Sequence, residues 1–187
     1  MHNRLIIFDC FGVIFGEVAP LFLRKYLPEE EAAAVKDKIF VPSDLGQITY
    51  DELLDILSQT VGADREEVVR EWNKLFVIKE ETVELIKKLR GTADIALLSN
   101  APLGLVERIF EEYGLTCLFD KMVISSAIKL AKPDPEIYRY CVAQFDREYD
   151  EIYMIDDNSA NLEPLKEIGI TPILFTGVES VMQVLKI

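Results

Sequence analysis

Five short apolar runs are the clearest feature of the chain when hydrophobic and polar positions are marked along it. Each is rich in β-branched or aromatic residues and too short for a helix. Such runs are typical of strands that are buried on both faces of a sheet. The predicted strands are 5–8 (LIIF), 95–98 (IALL), 122–124 (MVI), 152–155 (IYMI) and 172–175 (PILF).

Segments of helical periodicity alternate with the later strands, at 103–113, 135–145 and 159–168. The first and third are followed by Gly114 and Gly169, and glycine adopts the left-handed conformation at a helix end at low cost. Alternation of strand and helix requires right-handed crossovers. It therefore predicts an α/β fold, a doubly wound parallel sheet with helices on both faces.

Residues 15–78 break this alternation, because they show helical patterns and no convincing strand. Thr49 with Glu52, and Asp64 with Glu67, predict capping boxes at two helix starts. A further helix over 80–90 leads back to the sheet. We therefore predict a core domain of residues 1–14 and 79–187 and a helical insert of residues 15–78. The apolar residues expected in the core of the insert are Leu53, Leu54, Ile56, Leu57, Val68, Val69, Trp72 and Phe76.

Charge excludes several partners. The 187 residues include 33 Asp and Glu against 20 Lys and Arg, a net charge of −13. Such a chain repels phosphate backbones, and no basic stripe with interleaved aromatics offsets this, so we expect neither nucleic acid nor anionic membrane as a partner. No apolar stretch approaches the roughly 20 residues that span a bilayer. The sequence predicts a cytoplasmic protein.

Histidine and cysteine usage narrows the possible chemistry further. His2 is the single histidine, which disfavours Ser–His–Asp catalysis and histidine-built zinc sites. Cys10, Cys117 and Cys141 are odd in number and widely spaced, so we expect three small buried side chains rather than disulfides or a thiolate metal site. Carboxylate, hydroxyl and lysine chemistry remain.

Polar residues directly follow the first four predicted strands. Because ligands bind beyond the carboxyl ends of parallel strands, we expect these side chains to share one edge of the sheet. Three carboxylates gathered there repel one another unless protons or a cation offset their charge, and Mg²⁺ is a suitable cation. The residues are Asp9, then Ser99 and Asn100, then Ser125 and Ser126, then Asp156 and Asp157.

Lys132, in the segment IKLAKPDPEIY, adds a compact positive charge before Pro133. Ser99 and Asn100 offer a hydroxyl and backbone N–H groups at a strand-to-helix junction, where an anion is favoured. Together with the carboxylates, this set matches in-line phosphoryl transfer, which depends on positioning and charge neutralisation. Each residue alone is better explained by a helix cap or a turn than by a functional role, so the prediction rests on their joint order and spacing.

These segments resemble the four motifs of the haloacid dehalogenase-like (HAD-like) hydrolase superfamily. The resemblance is carried by IIFDCFGV at 6–13, LLSN at 97–100, LAKPDPEIY at 130–138 and IYMIDDNSANLEPLKEIGI at 152–170, in the family's order. It implies a Rossmann-like core with a small helical cap insert. The segment DLGQITYDELL at 44–54 is similar to the cap of the family's sugar-phosphate phosphatase subgroup.

The resemblance also implies a role for each residue of the predicted site. Asp9 is the nucleophile that forms an aspartyl-phosphate, and Ser99, Asn100 and Lys132 bind the transferring phosphoryl group. Asp9, the main-chain carbonyl of Phe11 and Asp157 hold Mg²⁺, and Asp156 binds the ion directly or stands just behind a ligand. The implied function is a Mg²⁺-dependent phosphatase acting on a small phosphorylated metabolite, possible examples being sugar phosphates.

Position 11 departs from the family's pattern. Its phosphatases usually carry a second Asp two residues after the nucleophile as general acid and base, although the sugar-phosphate subgroup lacks an acid there. Phe11 can move no proton, and such a loss typically costs on the order of 10²–10⁴-fold in rate. The phosphatase hypothesis then requires a good leaving group, or proton transfer by water or by a carboxylate of the insert such as Glu17.

Two other hypotheses stay open. A 2-haloacid dehalogenase would use Asp9 as carboxylate nucleophile without a metal, but the acidic pair 156–157 would hinder its anionic substrate, which needs a clamp such as Arg24, Arg65 or Arg70. A catalytically silent binding or regulatory module would not be expected to keep the complete set of polar residues. We therefore predict a phosphatase of modest turnover, with the insert closing over the cleft through residues 15–22.

Overall fold

A five-stranded parallel sheet forms the centre of the protein. The computed structural model describes residues 3–187, apart from the side chain of Asp37, and His2 lies outside the described residues. The strand order is β3-β2-β1-β4-β5, and every pairing is parallel. All five predicted strands are confirmed to within one residue at each end. They are β1 (Arg4–Phe8), β2 (Asp94–Ser99), β3 (Lys121–Ile124), β4 (Glu151–Asp156) and β5 (Thr171–Leu174).

Helices connect the strands and fill the segment between β1 and β2. The helices before β2 are α1 (Ala19–Tyr26), α2 (Glu29–Val35), a π-helical turn (Lys36–Phe40), α3 (Val41–Asp44), α4 (Tyr50–Val61), α5 (Arg65–Asn73) and α6 (Glu80–Leu89). Those after β2 are α7 (Leu105–Glu112), a 3-10 turn (Thr116–Leu118), α8 (Ser125–Ile128), α9 (Pro135–Ala143), α10 (Ser159–Leu162), a second 3-10 turn (Leu165–Ile168) and α11 (Val178–Leu185). None of the helices in the described part of the chain has the length and hydrophobicity needed to cross a membrane.

The alternation of side chains along each strand buries both faces of the sheet. On one face, Ile6 and Phe8 of β1 belong to the hydrophobic cluster that continues into the helical segment before β2. On the other face, Leu5 and Ile7 pack in a second cluster with Tyr138 of α9. Burial on both sides is why the strands read as continuous apolar runs, and the doubly wound α/β prediction is confirmed.

Aromatic side chains form much of the core of the helical insert. The Trp72 ring is stacked on Phe40, with centroids 5.9 Å apart, and meets the edge of Phe22 at 5.2 Å. The chain enters and leaves the insert through two adjacent linkers. Phe15 pairs with Ile78 as an isolated antiparallel bridge.

Several local predictions need correction. Thr49 and Glu52 form the expected capping box, but Asp64 makes no side-chain cap bond. The Glu67 side chain, which would complete a second box, accepts a hydrogen bond from the Tyr26 hydroxyl instead. The helix expected over 159–168 is broken into α10 and a 3-10 turn around Pro164, whose ring cannot continue a helix.

Burial and helix starts give three further corrections. Cys117 is exposed, whereas the other two cysteines are buried as expected. Ile56 and Val69 are only partly buried in the insert, although the other six predicted core residues are buried. The helix after β2 begins only at Leu105, so Ser99 and Asn100 lie in the preceding strand and loop rather than at a helix N-terminus.

Candidate active site

Three carboxylates meet at the carboxyl edge of the sheet. The neighbouring strands β1 and β4 pair Phe8 with Ile155, so Asp9 lies level with Asp156, and Asp157 is the next residue. One oxygen of each carboxylate lies within 4.8 Å of the others. The predicted convergence of these side chains is therefore what the register of two central strands produces.

Lys132 places a buried positive charge between two of these carboxylates. Its Nζ lies 2.8 Å from Asp9 Oδ1 and 2.6 Å from Asp156 Oδ2, and only 5% of the residue is exposed. Burial alone lowers the pKa of Lys132, but the charges of Asp9 and then Asp156 outweigh this effect and raise it. The ammonium is therefore charged in the folded protein.

Asn100 fixes the main chain that carries this lysine. Its Oδ1 accepts a hydrogen bond from the Lys132 N–H at 2.8 Å, and its Nδ2 donates to the Lys132 carbonyl at 2.9 Å. The side chain of Asn100 is thus fully occupied within the protein. The main-chain N–H of Asn100 therefore remains the candidate group for substrate binding.

Asp156 is held by bonds to the turn that follows β4. Its Oδ1 accepts from the Asn158 N–H at 2.8 Å, and Asn161 Nδ2 lies 3.1 and 3.0 Å from its two oxygens. With Lys132 on Oδ2 as well, this fully buried carboxylate already has partners on both oxygens. The arrangement suits a residue that positions Lys132 and Asp9 better than one that binds an ion directly.

Asp9 and Asp157 keep oxygen atoms free. Asp9 Oδ1 accepts from the Cys10 N–H at 2.7 Å, and within the described residues no hydrogen bond reaches Oδ2. Burial raises the pKa of Asp9 to about 8, against the lowering effect of Lys132, and the Asp156 charge adds to the rise. Burial followed by the Asp156 charge also raises the pKa of Asp157. These shifts indicate an excess of negative charge that a cation would offset.

The loop after Asp9 approaches Asp157 closely. Gly12 has φ +84°, and a Cβ placed on it would lie 2.0 Å from Asp157 Oδ2. Lys79 holds the loop by donating a hydrogen bond to the Gly12 carbonyl. The Lys79 ammonium also lies 5.0 Å from the centroid of the Phe175 ring. Only glycine allows the loop and Asp157 to occupy these positions together.

Comparison with known proteins agrees with the geometry. A family model for haloacid dehalogenase-like hydrolases matches residues 3–169. The chain belongs to the haloacid dehalogenase-like hydrolases. A HAD-family enzyme from Bacteroides thetaiotaomicron has a similar structure, with a TM-score of 0.79, 23% identity and 99% of each chain covered. A second structure of that enzyme, in complex with magnesium and inorganic phosphate, is 26% identical with a TM-score of 0.73 and covers 92% of this chain and 93% of its own.

Curated relatives of this HAD-like hydrolase differ widely in size. The phosphorylated carbohydrates phosphatase of Thermotoga maritima is 23% identical over 88% of this chain and 81% of the relative. Drimenol cyclase drtB of Aspergillus calidoustus is 23% identical over 96% of this chain, but the match spans only 35% of that protein's length. The chain therefore corresponds to about a third of one relative and to most of another.

Ser99 and Phe11 complete the predicted site of this HAD-like hydrolase. Ser99 is fully buried at the end of β2, and in the described part of the protein its hydroxyl interacts with the Cys10 thiol but forms no well-aligned hydrogen bond. The Phe11 ring is half-buried and packs 6.3 Å from Phe76 of the insert, and no hydrogen bond to its carbonyl is found among residues 3–187. The Phe11 carbonyl oxygen and the Ser99 hydroxyl are therefore available to a ligand.

Sequence reasoning missed three groups that organise the site. Asn161 and the Asn158 N–H hold Asp156, and Gly12 makes room for Asp157. The segment IDDNSANL carries a signal for this contact, because Asn161 follows Asp156 by five residues at the start of the predicted helix. Ser125 serves the structure by accepting from the Ala101 N–H at 3.1 Å.

Proposed function

We propose that the protein is a Mg²⁺-dependent phosphatase that acts on a small phosphorylated metabolite. The observation that carries this proposal is the placement of the buried Lys132 ammonium 2.8 Å from Asp9, with the buried Ser99 hydroxyl at the end of the neighbouring strand β2. A free carboxylate oxygen, a fixed cation and an unused donor at one point suit a phosphoryl group, which offers anionic oxygens to the donors and phosphorus to the carboxylate.

The residues present fit a magnesium ion. Oxygens of Asp9, Asp156 and Asp157 lie within 4.8 Å of one another, and Mg²⁺ prefers such hard oxygen ligands. Asp9 Oδ2, Asp157 and the Phe11 carbonyl would hold the ion, with Asp156 behind them because its own oxygens are already occupied. A bound Mg²⁺ would supply positive charge to the oxygens of the transferring phosphoryl group.

Asp9 would act as nucleophile and form an aspartyl-phosphate, which divides hydrolysis into two easier steps. Lys132 lowers the pKa of Asp9 against the effect of burial and, together with a bound Mg²⁺, would favour its ionised form. Lys132 would also neutralise charge on the phosphoryl oxygens, while the Ser99 hydroxyl and the Asn100 N–H would donate hydrogen bonds to them. Residues 15–78 would act as a cap domain on a core of residues 1–14 and 79–187. The paired linkers at Phe15 and Ile78 are a suitable hinge for closure over the cleft.

The names of two relatives support the substrate class. The Thermotoga relative is a phosphatase of phosphorylated carbohydrates, and the Bacteroides enzyme binds magnesium and inorganic phosphate. We extend this to a small phosphorylated metabolite, with sugar phosphates as the first class to test. The net charge of −13 disfavours large polyanions such as nucleic acids.

A dehalogenase function has less support in the contacts of the insert. Arg65 is paired with Asp51 and Asp55 at 2.7 and 2.6 Å, and Arg70 lies 3.5 Å from Glu71. These arginines are engaged on the surface of the insert instead of forming a carboxylate clamp. Displacement at carbon would use Asp9 as nucleophile but would make no use of a metal ion held by the three carboxylates.

The test is a panel of sugar phosphates, other phosphometabolites and short haloacids, assayed with Mg²⁺ and with EDTA. Wild type should release phosphate only with Mg²⁺, and Asp9→Asn should abolish this release. Halide release without metal would support the dehalogenase instead. Absence of turnover in a folded, ligand-binding protein would support the silent module.

A further inference from the structure

Asp44 is a carboxylate of the insert whose position the proposed mechanism does not explain. It ends α3 and is half-buried, and the segment it belongs to packs against the core. The contact is close at Gly46, where an added Cβ would lie 2.5 Å from the main-chain oxygen of Ser126 in α8. Because α8 directly follows β3, this part of the insert rests on the same sheet edge as Asp9 and Lys132.

The surroundings of Asp44 contain charge but no partner. The charged groups that act on its carboxyl are Lys132 of the core and Lys36 of the insert. Within the described residues, no hydrogen bond and no ion pair is found for its carboxyl, on which only burial and these two charges act. Burying part of a carboxyl without a hydrogen-bond partner costs free energy. We therefore expect a bound molecule to provide the partner.

The residue at position 11 cannot act as the general acid and base, and Asp44 has the chemistry for that role. The Phe11 ring packs against Phe76 and cannot transfer a proton to or from the leaving group. We infer that Asp44 is the general acid and base of this phosphatase, delivered to the cleft by the insert. This inference rests on the proposed function and names a residue that function leaves unassigned.

The two steps balance with Asp44 in this role. In the first, an Asp9 oxygen bonds to phosphorus, the bond from phosphorus to the leaving oxygen breaks, and that oxygen takes the electron pair and the Asp44 proton to leave as an alcohol. In the second, a water oxygen bonds to phosphorus, its proton passes to the Asp44 carboxylate, and the bond from phosphorus to Asp9 breaks. The products are the alcohol and inorganic phosphate, and Asp9 is again a carboxylate.

Burial raises the pKa of Asp44 to about 7, even though Lys132 and then Lys36 lower it. A group that titrates near neutrality can both give and take a proton, which is the property that general acid–base catalysis requires. Glu17, the other carboxylate considered for this role, is exposed, and its charge acts on Asp157 at the opposite side of the cluster. Assigning the general acid and base role to Asp44 or to Glu17 therefore leads to different expected results.

The decisive experiment uses a series of substituted phenyl phosphates, which share one shape and differ in the basicity of the leaving oxygen. Wild type, Asp44→Asn and Glu17→Gln are compared with Asp64→Asn, which makes the same chemical change at an exposed position of the insert. Only Asp44→Asn should make kcat/KM depend steeply on the leaving group. The loss should reach on the order of 10²–10⁴-fold for the most basic leaving group and be small for p-nitrophenyl phosphate.

A parallel loss across the series would show that Asp44 binds substrate or supports the fold, and no loss would show that Asp44 has no part in the reaction. Either result would overturn the inference. A steep dependence in Glu17→Gln with a shallow one in Asp44→Asn would transfer the role to Glu17. Wild type gives a check that needs no variant. Single-turnover phosphorylation of Asp9 by an alkyl phosphate should fall as the pH rises through about 7, where Asp44 loses its proton, and phosphorylation by p-nitrophenyl phosphate should not.

The outcomes separate this inference from the proposed function. If wild type releases phosphate, Asp9→Asn does not, and Asp44→Asn behaves like wild type, the function stands and the inference fails. If wild type releases no phosphate from any substrate, the proposed function fails and the inference fails with it.

Discussion

Asn100 and Lys132 form a closed pair of hydrogen bonds. The Asn100 amide accepts from the Lys132 N–H at 2.8 Å and donates to the Lys132 carbonyl at 2.9 Å. These bonds join the loop after β2 to the loop before α9 at the point where the buried ammonium reaches Asp9 and Asp156. The position of the only charged donor found in this cluster thus depends on an amide that need not touch substrate.

Replacing Asn100 with alanine should therefore lower activity through Lys132. A misplacement of about 1 Å can reduce a rate on the order of 10²-fold, and we expect kcat to fall by about that factor. Steady-state kinetics on a phosphatase substrate, with circular dichroism to confirm folding, measures the effect. Asn73→Ala, an exposed position at the end of α5, is the control and should behave as wild type. Full kcat in Asn100→Ala would contradict the positioning role.

Gly12 offers a test of the carboxylate cluster that leaves every carboxylate in place. In Gly12→Ala, the new Cβ would lie 2.0 Å from Asp157 Oδ2, so Asp157 must move. Gly62 is the matched control, because its φ of +67° is also left-handed but a Cβ there meets nothing within 4 Å. Each substitution should cost about 1–2 kcal/mol of unfolding free energy for the backbone conformation.

Only Gly12→Ala should also change the response to metal. We expect a higher Mg²⁺ concentration for half-maximal activity in this variant and an unchanged value in Gly62→Ala. Titration of activity against Mg²⁺ at saturating substrate provides the measurement. Equal Mg²⁺ requirements in the two variants would mean that Asp157 does not bind the ion.

The sheet and most of the site could be predicted because both depend on local pattern. Strands buried on both faces appear as apolar runs, and the polar residue after each run must lie at the carboxyl edge of a parallel sheet. Asp9, Ser99, Lys132 and Asp156 are found there, all of them buried. The convergence of these four side chains could be predicted without knowing the register between β1 and β4.

The parts that escaped prediction depend on contacts between distant segments. Asp44 belongs to the insert by sequence, and only the packing of Gly46 against Ser126 shows that its segment reaches the core. The Glu67 half of the capping box predicted at Asp64 is absent for the same reason, because the Glu67 side chain accepts a hydrogen bond from Tyr26 of another helix. Tertiary partners override local signals in both cases, and a single sequence does not contain them.

Asp156 and Asp157 are neighbours in sequence, but they should respond differently to neutralisation. Asp157→Asn should remove a metal ligand and leave the fold nearly as stable as wild type, because the hydrogen bond found for this carboxylate among residues 3–187 comes from its own main-chain N–H. Asp156→Asn should destabilise the fold, because Lys132, Asn158 and Asn161 lose their charged acceptor. Thermal unfolding with EDTA and with Mg²⁺ distinguishes the two.

Ligand binding to the folded state stabilises it, by about 2.7 kcal/mol at 100 times the dissociation constant. Wild type and Asp156→Asn should therefore gain stability from Mg²⁺, while Asp157→Asn should gain little. The opposite result, a Mg²⁺ response lost in Asp156→Asn and kept in Asp157→Asn, would reverse the assignment of ligand and support.

Lys132 should contribute to stability as well as to catalysis. Removing one partner of a buried ion pair leaves an uncompensated charge, which typically costs about 3–5 kcal/mol. We expect Lys132→Met to lower the free energy of unfolding by this amount in EDTA, with Asp9 and Asp156 left in mutual repulsion. Lys25→Met, which removes an exposed pair with Glu71, should change it little. Urea unfolding measures both, with the slope m compared to detect changes in the unfolded state.

A double variant separates the pairing energy from the other effects of the lysine. If the attraction between Lys132 and Asp156 dominates, Lys132→Met combined with Asp156→Asn should be more stable than the sum of the two single losses predicts, since neither charge is then left alone. Additive losses would mean that Lys132 stabilises the protein mainly through Asp9. In that case, the double variant Lys132→Met with Asp9→Asn should recover the missing stability, because Asp9 is the other carboxylate within 2.8 Å of the ammonium.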